Sequence, residues 1–230
     1  MNNRVAVIPA RGGSTRLKKK NVLPLGGKPL ICHTVEAVLG SGCFDTVYVA
    51  TDADYIADVV TPYKDVLVYR RDPRHADERT TVLEALMVMM NDIPKYDVFA
   101  YFLPTCPFRT EQDIRVGVSM LYGDVDSVVS VVQYSDPIQL AMEKHQNSIM
   151  KPVFDNLQYG KTNSKFITKH YRPNGSFYIS SWDFLLEKKN FFKGITRGYE
   201  MSKEKSFDID DAYDLRLANL FLLEKNNEVE

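Results

Sequence analysis

Ala10-Arg11-Gly12-Gly13-Ser14 leaves a short apolar run and passes into Thr15-Arg16-Leu17-Lys18-Lys19-Lys20-Asn21, so a glycine pair is followed at once by a dense run of cations. Between Met1 and Val35 there are seven Lys or Arg and no Asp or Glu, although the whole chain carries a formal net charge of only -1. Glycines let backbone N–H groups approach an anion, and Arg and Lys add charge-assisted bonds to phosphate oxygens. The chemistry this suits is the cradling of a polyphosphate. Neither Walker A nor GxGxxG spacing is present, which argues against an ordinary P-loop and against a dinucleotide fingerprint. A solvated surface turn is the bland alternative.

A second constellation is Phe207-Asp208-Ile209-Asp210-Asp211. In extended backbone Asp208 and Asp210 point to one side and can share one hard cation through oxygen ligands. The competing reading is a helix N-cap with acids that favour the dipole, and for Asp211 that reading is preferred. Mg²⁺ held by one or two carboxylates completes its shell with water and substrate phosphates, so a carboxylate pair and a polyphosphate loop belong to one chemistry.

The elements that must position these residues are legible as alternation. Apolar runs Val5–Pro9, Thr46–Ala50, Val66–Tyr69, Val98–Leu103 and Ser127–Val132 are separated by stretches of helical period such as Pro29–Leu39. Continuous Val-rich runs suit strands covered on both faces, and the order predicts an α/β fold with a doubly wound, mostly parallel sheet. Ligands of such sheets bind beyond the carboxyl ends of strands. The Arg11 loop, Thr51-Asp52 and Leu103 to Arg109 are three such exits, so they are expected to converge. Residues 1–133 form the expected core, and 134–171, where the alternation fails, an insertion. Residues 172–230 return to the core, with Tyr171–Ile179 as a turn feeding a strand and Asp211–Leu223 as a closing helix.

Composition excludes several classes. With 44% hydrophobic and 26% charged residues in 230, the chain is an ordinary globular protein of one sizeable domain. Three cysteines without CxxC pairing suggest neither a disulfide framework nor a zinc site and fit a reducing cytoplasm. The four histidines lack HxH or HExxH spacing. No membrane segment or targeting leader is expected. A cationic run confined to one loop, in a balanced chain, argues against a nucleic-acid partner.

Taken in order, Ala10-Arg11-Gly12-Gly13-Ser14 with Lys20-Asn21, Thr51-Asp52, Pro104-Thr105 with Pro107 and Arg109, Arg172-Pro173-Asn174-Gly175, and Asp208-Ile209-Asp210 resemble the acylneuraminate cytidylyltransferase family nearly end to end. The resemblance implies a Rossmann-like nucleotidyltransferase that moves CMP from CTP to the anomeric hydroxyl of a nonulosonic sugar acid and releases pyrophosphate. It implies that Arg11, Lys20, Asp208 and Asp210 are catalytic, with Mg²⁺ on the two Asp. Ala10, Arg11, Gly12, Gly13, Ser14, Lys20, Asn21, Arg71 and Thr81 would bind the nucleotide. Leu103, Thr105, Asn174, Phe191 and Phe192 fall where the sugar is lined; for the phenylalanines plain core packing is the alternative. The insertion would serve a homodimer.

Departures concern the sugar. Leu103 stands where sialic-acid members carry Gln, and Ser164 and Gln139 stand where an Arg and a Lys are expected. Such changes point to a different sugar acid with the reaction retained. The alternatives are a cytidylyltransferase for another acid such as Kdo, a sugar-1-phosphate nucleotidyltransferase, or a nucleotide-binding module without catalysis.

Overall fold

The computed structural model describes residues 3–72 and 81–227. In chain order the elements are β1 (Arg4–Pro9), the short hairpin β2 (Pro24–Leu25) and β3 (Lys28–Pro29), α1 (Leu30–Ser41), β4 (Thr46–Thr51), α2 (Asp54–Val60), β5 (Val66–Arg70) and α3 (Val82–Asp92). There follow β6 (Val98–Tyr101), α4 (Glu111–Ser119), β7 (Ser127–Gln133), the hairpin β8 (Met142–Lys144) and β9 (Met150–Pro152), α5 (Asp155–Gln158), β10 (Tyr171–Ser181), α6 (Trp182–Lys188), β11 (Thr196–Glu200) and α7 (Ala212–Asn227).

The continuous apolar run of β1 is explained by cover on both faces. Ala6 and Ile8 pack with Ile31, Val35 and Val38 of α1 and Ile114 and Val118 of α4. Val5 and Val7 point the other way, onto Leu86, Met89 and Met90 of α3 and Trp182 and Leu185 of α6. Among the described residues the main sheet has seven strands in the order β11-β7-β10-β6-β1-β4-β5. β1 pairs in parallel with β4 and β6, β4 with β5, and β11 with β7, whereas β10 runs against β6 and β7. The fold is the doubly wound, mostly parallel α/β sheet expected from the alternation.

The reversed strand matters for the site. Because β10 is antiparallel, its first residues, Tyr171 opposite Gln133 and Arg172 opposite Val132, lie at the edge where the parallel strands end. The segment the sequence presents as a turn before a strand is part of this strand; the register slips between Pro173 and Tyr178, where Gly175 adopts φ 79°. That left-handed conformation suits glycine. Residues 134–170 add no strand to the main sheet and form the β8–β9 hairpin, α5 and short 3₁₀ turns. Among the described residues no helix is long and apolar enough to cross a membrane.

Candidate active site

The glycine loop grows directly out of β1. Ala10 is buried, and its N–H donates to Ala50 O at 2.9 Å, extending the β1–β4 ladder one step. Gly12 N–H then donates to Asp52 Oδ1 at 2.8 Å, and Gly12 O accepts from Tyr55 Oη at 2.9 Å. A Cβ on Gly12 would lie 2.7 Å from Ala53 Cβ, so this glycine is required by close approach. Gly13 has open space around it. Asn21, only 6% exposed, donates from Nδ2 to Arg11 O at 3.2 Å and braces the loop from below.

A cavity of about 360 Å³ opens above the loop. Of the residues singled out in the sequence, Arg11, Ser14, Lys20, Asn21, Arg71, Thr81, Leu103, Thr105 and Asp210 line it. The Arg11 and Leu103 exits converge there, whereas the Thr51-Asp52 exit does not line the cavity and meets the loop through the Asp52 bond to Gly12. Thr81 also caps α3, accepting from Glu84 N at 3.2 Å within a capping box. Burial pulls the Arg71 guanidinium below its ordinary pKa; Asp52 opposes this and the like charge of Arg11 adds to it. Two guanidiniums held near each other form a cationic pocket suited to a polyanion. Thr15, Arg16 and Leu17 complete the wall, and sequence reasoning assigned no role to Arg16.

The two carboxylates divide their duties. Ile209 is fully buried against Leu25, Leu30 and Ala218, and its N–H donates to Thr105 O at 2.8 Å, which fixes the segment and turns its neighbours outward. Asp210 lines the cavity and is held by Arg16 Nη1 at 2.9 Å and Lys20 Nζ at 3.1 Å. Burial pushes its carboxyl up, but the Lys20 bond and nearby Arg16 outweigh burial and hold it below the usual value. Asp208 faces a second cavity of about 460 Å³ and is exposed to solvent on that side, while desolvation by the protein on the other side of its carboxyl raises its pKa. A bond with Thr105 opposes that rise, and the like charge of Asp210 adds to it. Paired hard oxygen donors whose mutual repulsion a cation relieves fit Mg²⁺, with phosphate and water needed for the rest of its shell. No cluster of three or more His, Cys, Asp or Glu able to hold a metal occurs among the described residues.

The residues assigned to the sugar scatter. Asn174 is buried, and its side chain is engaged inside the protein: Nδ2 donates to Ser206 Oγ at 2.8 Å, and Oδ1 accepts from Ser176 N at 3.0 Å. Phe191 is 3% exposed and packs edge-on against Tyr101 and Tyr178, while Phe192 is exposed. Neither ring lines the cavities beside the two Asp. Arg109, quoted in the sequence without a role, proves to be a buried clamp. Its guanidinium donates to Ser176 Oγ, Thr34 Oγ1 and Leu103 O, and burial brings its pKa down to about 10.

The segment carrying Asp208 is latched from behind. Lys205 Nζ lies 2.9 Å from both oxygens of buried Asp113, which also accepts from Tyr199 Oη at 2.8 Å. Burial raises the Asp113 carboxyl, but its bonds with Thr110, Lys205 and Tyr199 outweigh burial and hold it below the ordinary value. A depressed carboxylate stabilises the fold above its unfolded pKa, and that contribution is lost as pH falls through the folded value. Asp113→Asn is therefore expected to lower unfolding stability by about 2 kcal/mol at neutral pH, the size of a lost hydrogen bond to a charged group. In urea titrations the gap to wild type should stay level down to about pH 4 and shrink below it. Equal stability at pH 7 would refute the latch.

The family described as Cytidylyltransferase matches residues 5–147. The chain is 35% identical over 228 residues to an N-acylneuraminate cytidylyltransferase of Escherichia coli O18:K1:H7, covering 97% of this chain and 53% of that protein. It is 34% identical over 231 residues to a CMP-N,N'-diacetyllegionaminic acid synthase of Legionella pneumophila, and 28% over 229 residues to a pseudaminic acid cytidylyltransferase of Campylobacter jejuni, covering 97% of each chain in both cases. The chain thus spans about half the length of the E. coli relative and nearly all of the other two. Among solved structures it resembles a CMP:2-keto-3-deoxy-manno-octonic acid synthetase complexed with CTP (TM-score 0.71, 18% identity, 97% of this chain and 99% of that one). It also resembles a 4-diphosphocytidyl-2C-methyl-D-erythritol synthase from Anaerococcus prevotii (TM-score 0.70, 12% identity, 96% and 99%). At those identities the structural likeness carries the fold alone. With the family match spanning most of the core and the legionaminic acid synthase aligned along nearly its whole length, this chain belongs to the acylneuraminate cytidylyltransferase family.

Proposed function

We propose that this chain transfers CMP from CTP to the anomeric hydroxyl of a nonulosonic sugar acid and releases pyrophosphate. The observation that carries the reading is the meeting of a cationic cavity, built by Arg11, Lys20 and Arg71, with a carboxylate pair at the boundary of a second cavity. The names of the relatives supply the base and the class of acceptor. A non-catalytic nucleotide-binding module would have no use for the second cavity.

In this reading Arg11, Arg71 and Lys20 hold the triphosphate, with the loop from Ala10 to Ser14 presenting backbone N–H groups. The anomeric oxygen attacks the α-phosphorus, the bond to the β-phosphate oxygen breaks, pyrophosphate departs with the electron pair, and the hydroxyl proton passes to water. Lys20 and Arg11 neutralise charge on the leaving group, a contribution of positioning and electrostatics with no covalent enzyme intermediate. Asp208 and Asp210 would hold Mg²⁺, which when bound neutralises phosphate oxygens and lowers the pKa of the attacking hydroxyl. Asn174 acts from behind the site: its amide holds Ser206 in the segment that leads to Asp208.

The enzyme works as a homodimer in the cytoplasm in this account. The insertion exposes Met142, Ile149, Met150, Val153 and Phe154, an apolar surface a second subunit would cover, and the three cysteines are free thiols. The test of the activity is a panel of the four nucleoside triphosphates against several nonulosonic acids, scored by pyrophosphate release. CTP is expected to be preferred at least tenfold; preference for GTP or UTP would overturn the base assignment.

A further inference from the structure

In the ring form of a 2-keto sugar acid the carboxylate and the anomeric hydroxyl share one carbon. The group that grips the carboxylate must therefore lie within a few ångström of the reacting centre, on the side away from the nucleotide. Asp208 marks that side, because it faces the second cavity while Asp210 faces the first. The second cavity, about 460 Å³, falls within the range of small-molecule sites. Two cations line it: Arg172 and Lys203.

We infer that Arg172 and Lys203 form the carboxylate subsite of the acceptor, an assignment that rests on the reading of the chain as a sugar-acid cytidylyltransferase. Arg172 is brought there by the antiparallel course of β10, which puts it opposite Val132 at the carboxyl edge of the sheet. Its guanidinium makes one long bond, to Pro173 O at 3.4 Å, and its charge acts on Asp208. A planar guanidinium beside the reacting centre matches a carboxylate in bidentate fashion. Lys203 arrives from the other wall, on the segment latched by Lys205 to Asp113 and by Ser206 to Asn174. Its ammonium makes no ion pair among the described residues.

Acids also line this cavity, namely Asp136 and Asp208, so the two cations are balanced until a cation occupies the Asp pair. The arrangement accounts for the departures read in the sequence. The amide of Gln139 donates to Thr168 O at 3.0 Å and does not line this cavity, and Leu103 offers no polar group. Arg172 and Lys203 supply polar contacts that those positions do not.

The test uses the full chain loaded with Mg²⁺ and a non-hydrolysable α,β-methylene CTP analogue. Calorimetry then measures binding of N-acetylneuraminic, legionaminic and pseudaminic acids, Kdo and their methyl esters, beside pyrophosphate release with CTP. Lys203 is exposed, so Lys203→Met keeps the fold. It is expected to weaken binding of the preferred acid by about ten- to a hundredfold and to leave the methyl ester and the CTP analogue within about twofold. Arg172→Met should act in the same direction, and the acid-over-ester preference should vanish in the double variant. Acid binding unchanged in both single variants, while wild type turns over, overturns the subsite and leaves the reaction standing. Binding that depends on Lys203 without turnover of any acid keeps the subsite and overturns the reaction. No acid bound by wild type overturns both.

Discussion

Asp210→Ala is expected to lower kcat by about a hundred- to a thousandfold while leaving the protein folded. The carboxylate sits at the rim of the cationic cavity, paired with Arg16 and Lys20, and with Asp208 it forms the hard oxygen pair of the site. The Asp210–Arg16 pair contributes little to folding, because the two side chains are 37% and 68% exposed and such pairs are worth up to about 1 kcal/mol. Asp211, one residue on, is the internal control. Its Oδ1 accepts from Tyr213 N at 2.7 Å and Asp214 N at 3.0 Å, which makes it the cap of α7. Asp211→Ala should cost about 1 kcal/mol of stability and leave kcat within a few-fold. Thermal unfolding with pyrophosphate-release kinetics separates the two; an Asp210→Ala enzyme within a few-fold of wild type would remove Asp210 from the chemistry. Arg11→Ala is expected to behave like Asp210→Ala.

Gly12→Ala carries the second large effect, through geometry alone. The new methyl would meet Ala53 Cβ at 2.7 Å, and neither backbone can yield without moving the loop or the start of α2. Overpacking of this kind costs about 1–3 kcal/mol, and a loop displaced by about 1 Å can lose a hundredfold in rate. The loss should appear in kcat/KM for CTP, and Ala53→Gly in the same chain should restore most of it by removing the opposing methyl. Gly13→Ala, with open space around it, should retain folding stability. Full activity in Gly12→Ala, or no rescue by Ala53→Gly, would contradict the close-approach account.

The strands were legible because both faces of the sheet are covered, which writes short Val-rich apolar runs along β1, β4 and β7. The glycine-rich cationic loop was legible because glycine and cation density are local properties. Asp211 was separable from its neighbours because a cap has a local signature. What lay beyond reach depended on long-range placement. Arg16 meets Asp210 across nearly the whole chain, and nothing near Arg16 announces that partner. The reversed β10, with its slip around Gly175, places Arg172 at the site edge while turning Asn174 inward, and residue type alone gives no sign of which way Asn174 faces. Phe191 and Phe192 are adjacent and alike, yet one is buried and the other exposed. Arg109 shows no role in the sequence, and only its buried bonds to Ser176, Thr34 and Leu103 identify it as a clamp.

In the proposed reaction the two cavities flanking Asp208 and Asp210 hold the two partners of a single transfer. Mass spectrometry of the wild-type reaction with CTP, Mg²⁺ and a nonulosonic acid tests it directly. The expected result is one CMP-sugar formed for each pyrophosphate released, with negligible release when the acid is omitted. Pyrophosphate release that is indifferent to the acid and yields free CMP, or no release with any acid of the panel, would contradict it.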